Sequence, residues 1–292
     1  MSIVALLSSG ARIALPLLLA ALGILLSSKA GIIYIAMEGN MMFAAFFGVY
    51  AAYVSGSCYI GEIAAILSGI IFALVFGLVV INGRGNQVVC GVGFNFFVSG
   101  ITSVMLGSLF GSKNVTPKVQ RLPVLKLPLV GKLSINIVIG LIMLLLLWLM
   151  LRNTSLGLRI RSVGENPQAA DSLGVKVYRY QYIALILVGV FAGLSGAELT
   201  LGQMGYFSRG ITASRGYMAF AITVLGAYNP PLILVAALFI GIADAFQIRA
   251  QSYFNIPGQF FIILPYVMTI LALVVGKHFK GPAHEGEPYI RE

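Results

Sequence analysis

Between Ser134 and Leu151 the chain reads SINIVIGLIMLLLLWLML, eighteen residues with no formal charge and one side-chain amide, Asn136. At 1.5 Å per residue a helix of that length covers about 27 Å, close to the hydrocarbon thickness of a bilayer. Inside hydrocarbon there is no water for the backbone, so the run must close its own hydrogen bonds as a helix. Trp148, near one end, suits the interfacial zone. Similar runs recur, and their spacing predicts spans at about 11–28, 31–55, 60–81, 88–111, 134–151, 180–202, 217–229, 231–250 and 258–276. Only 10% of the residues are charged, against roughly 25% in a soluble domain. The expectation is an all-α polytopic membrane protein, a single transmembrane domain over residues 1–292 with about nine (8–10) helices. The N-terminus has no basic stretch followed by a small-residue cleavage site, so no removable signal peptide is expected.

Two spans are irregular. The second holds Glu38-Gly39-Asn40 inside apolar sequence, and the seventh is short and led by the polar GYFSRGITASRG. GNMMFA at 39–44 and GYMAFA at 216–221 agree at four of six positions, 177 residues apart. They are five crossings apart, an odd number, so a duplication would give two inverted halves, with broken helices at matching places. The net charge of +10 fits Lys and Arg beside membrane ends and anionic lipid, and no nucleic-acid partner is expected. Basic residues divide ten to nine between the two sides, which leaves the orientation open. Cys58 and Cys90 sit at opposite ends of one apolar stretch and are expected to stay unpaired.

The sequence offers little to an enzyme. His278 and His284 both lie in the hydrophilic tail, so no metal cluster is expected. Neither Gly131-Lys132 nor Gly276-Lys277 is followed by Ser or Thr, so there is no P-loop, and any ATP hydrolysis must sit on another chain. Acidic groups inside spans, Glu38, Glu198 and Asp244, are costly there and count as functional candidates. Glu38, Asn40, Asn86, Asn95, Arg215 and Tyr266 are the candidates for a solute path. Gln87 is a further polar group, and Phe94, Phe96, Phe97, Phe207 and Tyr217 are possible stacking faces.

SVGENPQAADSLGV, 162–175, breaks the apolar pattern. Asn166 is a good N-cap, Pro167 fits the first helical position and Gly174 suits the position past the end. The pattern predicts two capped turns at the membrane surface, flanked by Arg159, Arg161, Lys176 and Arg179.

The stretch TSLGLRIRSVGENPQAADSLGVKVYRYQ, 154–181, resembles the coupling segment of ABC-importer permeases for nucleosides and simple sugars. GIIYIAMEGNMMFAAFFGVYAA, GNQVVCGVGFNFF, SRGYMAFAITVLGAYNP and IPGQFFIILPYVMTI resemble the same family in order, so the likeness runs from about 11 to 289. It is closest to the nucleoside branch, in particular the shorter of its two permease subunits. The resemblance implies a vitamin B12 importer-like fold, with repeat one at about 11–133, repeat two at about 180–276 and a cytoplasmic coupling segment at 152–179. It implies a second related permease chain, a cytoplasmic ABC ATPase that uses ATP and Mg, and an extracytoplasmic substrate-binding lipoprotein. No cofactor is implied on this chain. The location implied is the bacterial cytoplasmic membrane, with the C-terminus cytoplasmic and the N-terminus outside. Gly164, Glu165, Asn166, Pro167, Ala169, Ala170, Asp171 and Gly174 would couple to the ATPase, and Ala170→Arg is expected to spare folding while uncoupling transport. A simple sugar or a vitamin such as riboflavin is the alternative solute. An ion-coupled secondary transporter using Glu38 or Asp244 is the other reading.

Overall fold

The computed structural model describes residues 3–112, 114–127, 131–253, 270 and 281–289. The long helices are α1 (Ile3–Lys29), α2 (Met37–Ser55), α3 (Cys58–Gly77), α4 (Gln87–Phe110), α5 (Asn136–Asn153), α8 (Val177–Ala197) and α10 (Pro230–Tyr253). Shorter ones are α6 (Ser155–Glu165), α7 (Pro167–Ser172) and α9 (Arg215–Leu225). Two π-helical segments, Leu78–Asn82 and Glu198–Met204, continue α3 and α8.

Among the described residues, six helices are long and apolar enough to cross a membrane: Leu6–Lys29, Cys58–Asn82, Gln87–Phe110, Asn136–Asn153, Val177–Met204 and Pro230–Ala250. Each matches an expected span within a few residues. α2 is 19 residues long but stands outside the six, because Glu38, Gly39 and Asn40 fill its first turn. The expected second span is thus an irregular lead, 31–36, followed by a helix. At 11 residues, about 16 Å, α9 is too short to cross alone. The span expected at 258–276 lies outside the described residues, apart from position 270.

α1 is the axis. Nearly every side chain from Ala14 to Leu26 is buried, against α8, α9 and α10. Hydropathy alone does not set this place, since α5 is as apolar and far less buried. α3 and α8 pack most closely, and glycine makes this possible: a methyl on Gly69 would overlap the Gly189 carbonyl oxygen, and one on Gly193 the Ile66 Cα. Without a hydrophobic drive between helices in lipid, such close backbone approach supplies the van der Waals attraction.

One element of this all-helical fold is extended. β1 (Val124–Leu127) and β2 (Gly131–Ser134) form an antiparallel hairpin in register Val124↔Ser134 to Leu127↔Gly131. Strands of four residues are too short for a two-residue period to stand out in the sequence. The chain before it runs along the end of α8, with Val119 N–H donating to Gly205 O (2.8 Å) and Leu122 N–H to Leu201 O (3.0 Å). Ser134 then donates to the Glu198 carboxylate at 2.6 Å. Cys58 and Cys90 are free, as expected.

Candidate functional site

Two places carry the polar chemistry. The first is the surface knob made by α6, α7 and the start of α8. Thr154 caps α6, its Oγ1 accepting from Gly157 N–H at 3.1 Å. Asn166 caps α7, its Oδ1 accepting from Ala169 N–H at 2.9 Å, and Pro167 occupies the first turn. The far end closes where Gly174 turns left-handed at φ +82° and Val175 N–H reaches back to Ala170 O at 3.0 Å. All of this follows from local spacing. Losing the cap costs about 1 kcal/mol, so Asn166→Ala is expected to speed amide exchange across 167–172 by about fivefold, read by hydrogen–deuterium exchange.

The knob has two faces. Gly164, Pro167 and Ala170 turn inward, Ala170 packing with Ile160, Val163, Val177, Tyr180, Ala184 and Tyr289. Glu165, Asn166, Gln168, Ala169, Ser172 and Gly174 turn outward, and Asp171 is half-buried. Leu173 stands 84% exposed at the tip. Behind it a cavity of about 240 Å³ is lined by Arg159, Lys176 and Arg179, with Tyr180 accepting from Arg159 Nη1 at 2.6 Å. The knob thus carries an exposed leucine at its tip beside basic groups. The expectation that Ala170→Arg spares folding fails here, because an arginine cannot enter that small core without opening it. Ala169, one residue earlier, is the exposed alanine.

The second place is where α2, α4 and α9 meet. Glu38, in the first turn of α2 and 7% exposed, accepts from Ser214 N–H (2.9 Å) and Gly216 N–H (2.7 Å) at the start of α9. Asn95 of α4 accepts from Gly39 N–H at 2.7 Å and donates to Ile35 O (3.0 Å) and Tyr217 OH (2.8 Å). Arg215 lies beside them and donates to Ile211 O at 3.1 Å. Asn40 is fully buried and donates to Tyr34 OH at 2.8 Å.

Glu38, Asn95 and Arg215 thus come together, with Asn40 two residues after Glu38 in α2. Asn86 does not join them: it is the N-cap of α4, accepting from Val88 and Val89 N–H at 3.0 and 3.1 Å. Tyr266 lies outside the described residues. Of the stacking candidates, Phe207 is core, fully buried against Phe46, whereas Phe96 and Phe97 are 75% and 62% exposed on α4.

Sequence reasoning missed a polar cluster at the end of the molecule that carries the hairpin. There Ser134 and Gln203 bond Glu198, and the Asn136 amide lies beside both Glu198 and Glu62. Glu62 falls inside an expected span and was the available signal. Among the described residues no group of three or more His, Cys, Asp or Glu could hold a metal ion.

The permease component family of branched-chain amino acid transport systems matches residues 6–273. The chain belongs to this family. It is similar to the guanosine ABC transporter permease NupQ of Bacillus subtilis, 32% identical over 95% of this chain and 94% of that protein. The putative glucose ABC transporter permease TsgC13 of Haloferax volcanii is 33% identical over 85% of this chain and 78% of its own. The nucleoside ABC transporter permease NupC of Lactococcus lactis is 30% identical over 94% and 93%. A further guanosine ABC transporter permease of Bacillus subtilis, NupP, and a further nucleoside ABC transporter permease of Lactococcus lactis, NupB, also match. A solved inward-facing putative metal-chelate type ABC transporter shares the fold, with a TM-score of 0.55, 16% identity, and 92% and 85% of the chains covered. The protein is thus a multi-pass permease component of an ABC transporter. It is not itself an enzyme, the ATPase activity of such a transporter lying on a separate subunit.

Proposed function

We propose that this permease forms half of the translocation pathway of an ABC importer for nucleosides. The observation that carries the reading is the capped helix α7, held out on a two-residue cap-to-proline start with Leu173 at its tip. A cytoplasmic ATPase, using ATP and Mg, docks on that face, so α7 and the C-terminus are cytoplasmic and the N-terminus is outside. Nucleosides are the solute because NupQ and NupC, each similar to this chain over nearly its whole length, carry guanosine and nucleoside in their names. The second half of the pathway is a related permease, as the presence of NupP beside NupQ and NupB beside NupC supports. A substrate-binding lipoprotein delivers solute from outside, and the membrane is the bacterial cytoplasmic one. Two inverted repeats and about nine helices complete the architecture. In support of the repeats, GNMMFA lies at the start of α2 and GYMAFA at the start of α9, each after an irregular lead.

The test is a pull-down of the tagged chain from native membranes, followed by uptake in vesicles. A P-loop ATPase and a second permease are expected to co-purify. Labelled guanosine or uridine uptake should be suppressed by excess unlabelled nucleoside and left intact by glucose or riboflavin. Suppression by glucose alone would replace the nucleoside reading with a sugar one, and uptake that collapses with the ion gradient but needs no ATPase would overturn the importer.

A further inference from the structure

Residues 281–289, GPAHEGEPY, lie far in sequence from the α6–α7 knob yet are built into it. Ala283 N–H donates to the Glu165 carboxylate at 3.4 Å, and His284 N–H to Gly164 O at 3.1 Å. Two residues on, Gly286 N–H donates to Gly31 O at 3.0 Å, in the connection between α1 and α2. Glu285, between them, turns its carboxylate in among Ser28, Lys29 and Tyr228. Burial pushes this carboxyl above its ordinary range even with Lys29 beside it, as befits a group held inside the fold. At the far end Tyr289 is 8% exposed, its ring 5.4 Å from that of Tyr178 and its carbonyl accepting from Tyr178 OH at 3.2 Å. That ring sits in the same small core as Ala170, the inward face of α7.

The other end of the contact also leads somewhere. From Gly31 the irregular chain passes to Ile33, whose N–H donates to Gln87 Oε1 at 2.7 Å. It then reaches Ile35 and Gly39, both bonded to Asn95, which in turn bonds Tyr217 of α9. Gly164 also touches this chain directly, since a methyl there would overlap the Lys29 carbonyl oxygen. A continuous path of backbone and hydrogen bonds therefore joins the knob to the place where α2, α4 and α9 meet.

We propose that residues 281–289 are a transmission strap, fastening the α7 knob to the Gly31–Gly39 connection so that displacement of the knob moves α2, α4 and α9 together. The strap rests on the reading of α7 as the ATPase contact. It acts by positioning, touching neither solute nor nucleotide. Without it the knob could tilt on its own core, and the stroke would be lost as local motion.

The test uses the whole transporter in proteoliposomes, and reads solute imported per ATP hydrolysed. Tyr289→Ala removes the ring from the α7 core. Gly286→Val attacks the other anchor, because φ is +91° there and a Cβ would meet Ile33. Both are expected to keep the ATPase bound and hydrolysing while the solute-to-ATP ratio falls about tenfold, and Tyr289→Phe to keep the ratio of the unaltered protein. Because the readout is a ratio, a lower yield of folded complex does not imitate the effect. An unchanged ratio in both variants, with the ATPase retained, overturns the strap and leaves the importer standing. Loss of the ATPase from the variants alone also overturns it, reducing the tail to a support of the docking face. Failure of the unaltered complex to hold any ATPase removes the reading of α7 and the strap with it.

Discussion

Leu173→Glu is expected to weaken ATPase binding by about 10–150-fold and to abolish uptake, while the melting temperature of the isolated permease stays where it was. The magnitude follows from burial: seating a leucine side chain in an apolar socket stabilises a complex by about 1.5–3 kcal/mol, at 1.4 kcal/mol per tenfold. The glutamate adds the cost of taking a charge out of water in that socket. Stability should not change because Leu173 is 84% exposed and touches little of its own chain. Exposed substitutions of this kind stay within about 0.5 kcal/mol. The measurement pairs a titration of the ATPase against detergent-solubilised permease with a thermal melt of the same sample. Leu173→Met, which keeps the apolar tip, should bind nearly as well as the unaltered protein. If Leu173→Glu bound the ATPase within twofold of normal, α7 would not be the docking element. The contrast with Ala170 gives the prediction its specificity: the two positions are three residues apart, yet one is exposed and the other faces the permease core.

That contrast marks what a sequence can and cannot say. The existence and limits of α7 are legible because its signals, Asn166, Pro167 and Gly174, act within a few residues of themselves. Six membrane helices are legible for a similar reason, since eighteen apolar residues in a row have one solution in lipid. Which alanine of Ala169-Ala170 faces out is not legible, because the residues are chemically identical and only the packing of Tyr289 and Tyr180 beneath α7 separates them. The pairing of β1 with β2 escapes because its strands are only four residues long. Glu38 and Asn95 are legible as polar groups in apolar surroundings, but their partners lie 56 to 178 residues away and no local pattern names them.

Glu38 shows how far that distance alters a reading. As a sequence feature it is an acidic group in a membrane span, a candidate for solute or ion. In the fold each carboxylate oxygen already accepts a backbone N–H at the start of α9. The positive end of a helix dipole stabilises a carboxylate in that position, so its charge is met by the protein itself. The backbone there needs the help: Ala213 and Ser214 have φ values of +46° and +64°, a left-handed pair that costs roughly 1–3 kcal/mol per residue. Glu38→Gln offers one acceptor oxygen where two are used and turns an NH₂ toward the other N–H. An unsatisfied buried donor costs about 1–3 kcal/mol, and the lost charge–dipole attraction adds about 0.3–2 kcal/mol. The expected total is about 1–5 kcal/mol, a fall in melting temperature of roughly 2–10 °C. The protein that remains folded should take up solute with an unchanged KM, because the carboxylate joins the first turn of α2 to the start of α9 through Ser214 and Gly216 N–H. A Glu38→Gln variant that melted normally but showed a raised KM would return Glu38 to the solute path. A variant that imported normally only while losing its dependence on an ion gradient would make it a relay. Either result would overturn the reading of Glu38 as a clasp that joins α2 to Ser214 and Gly216.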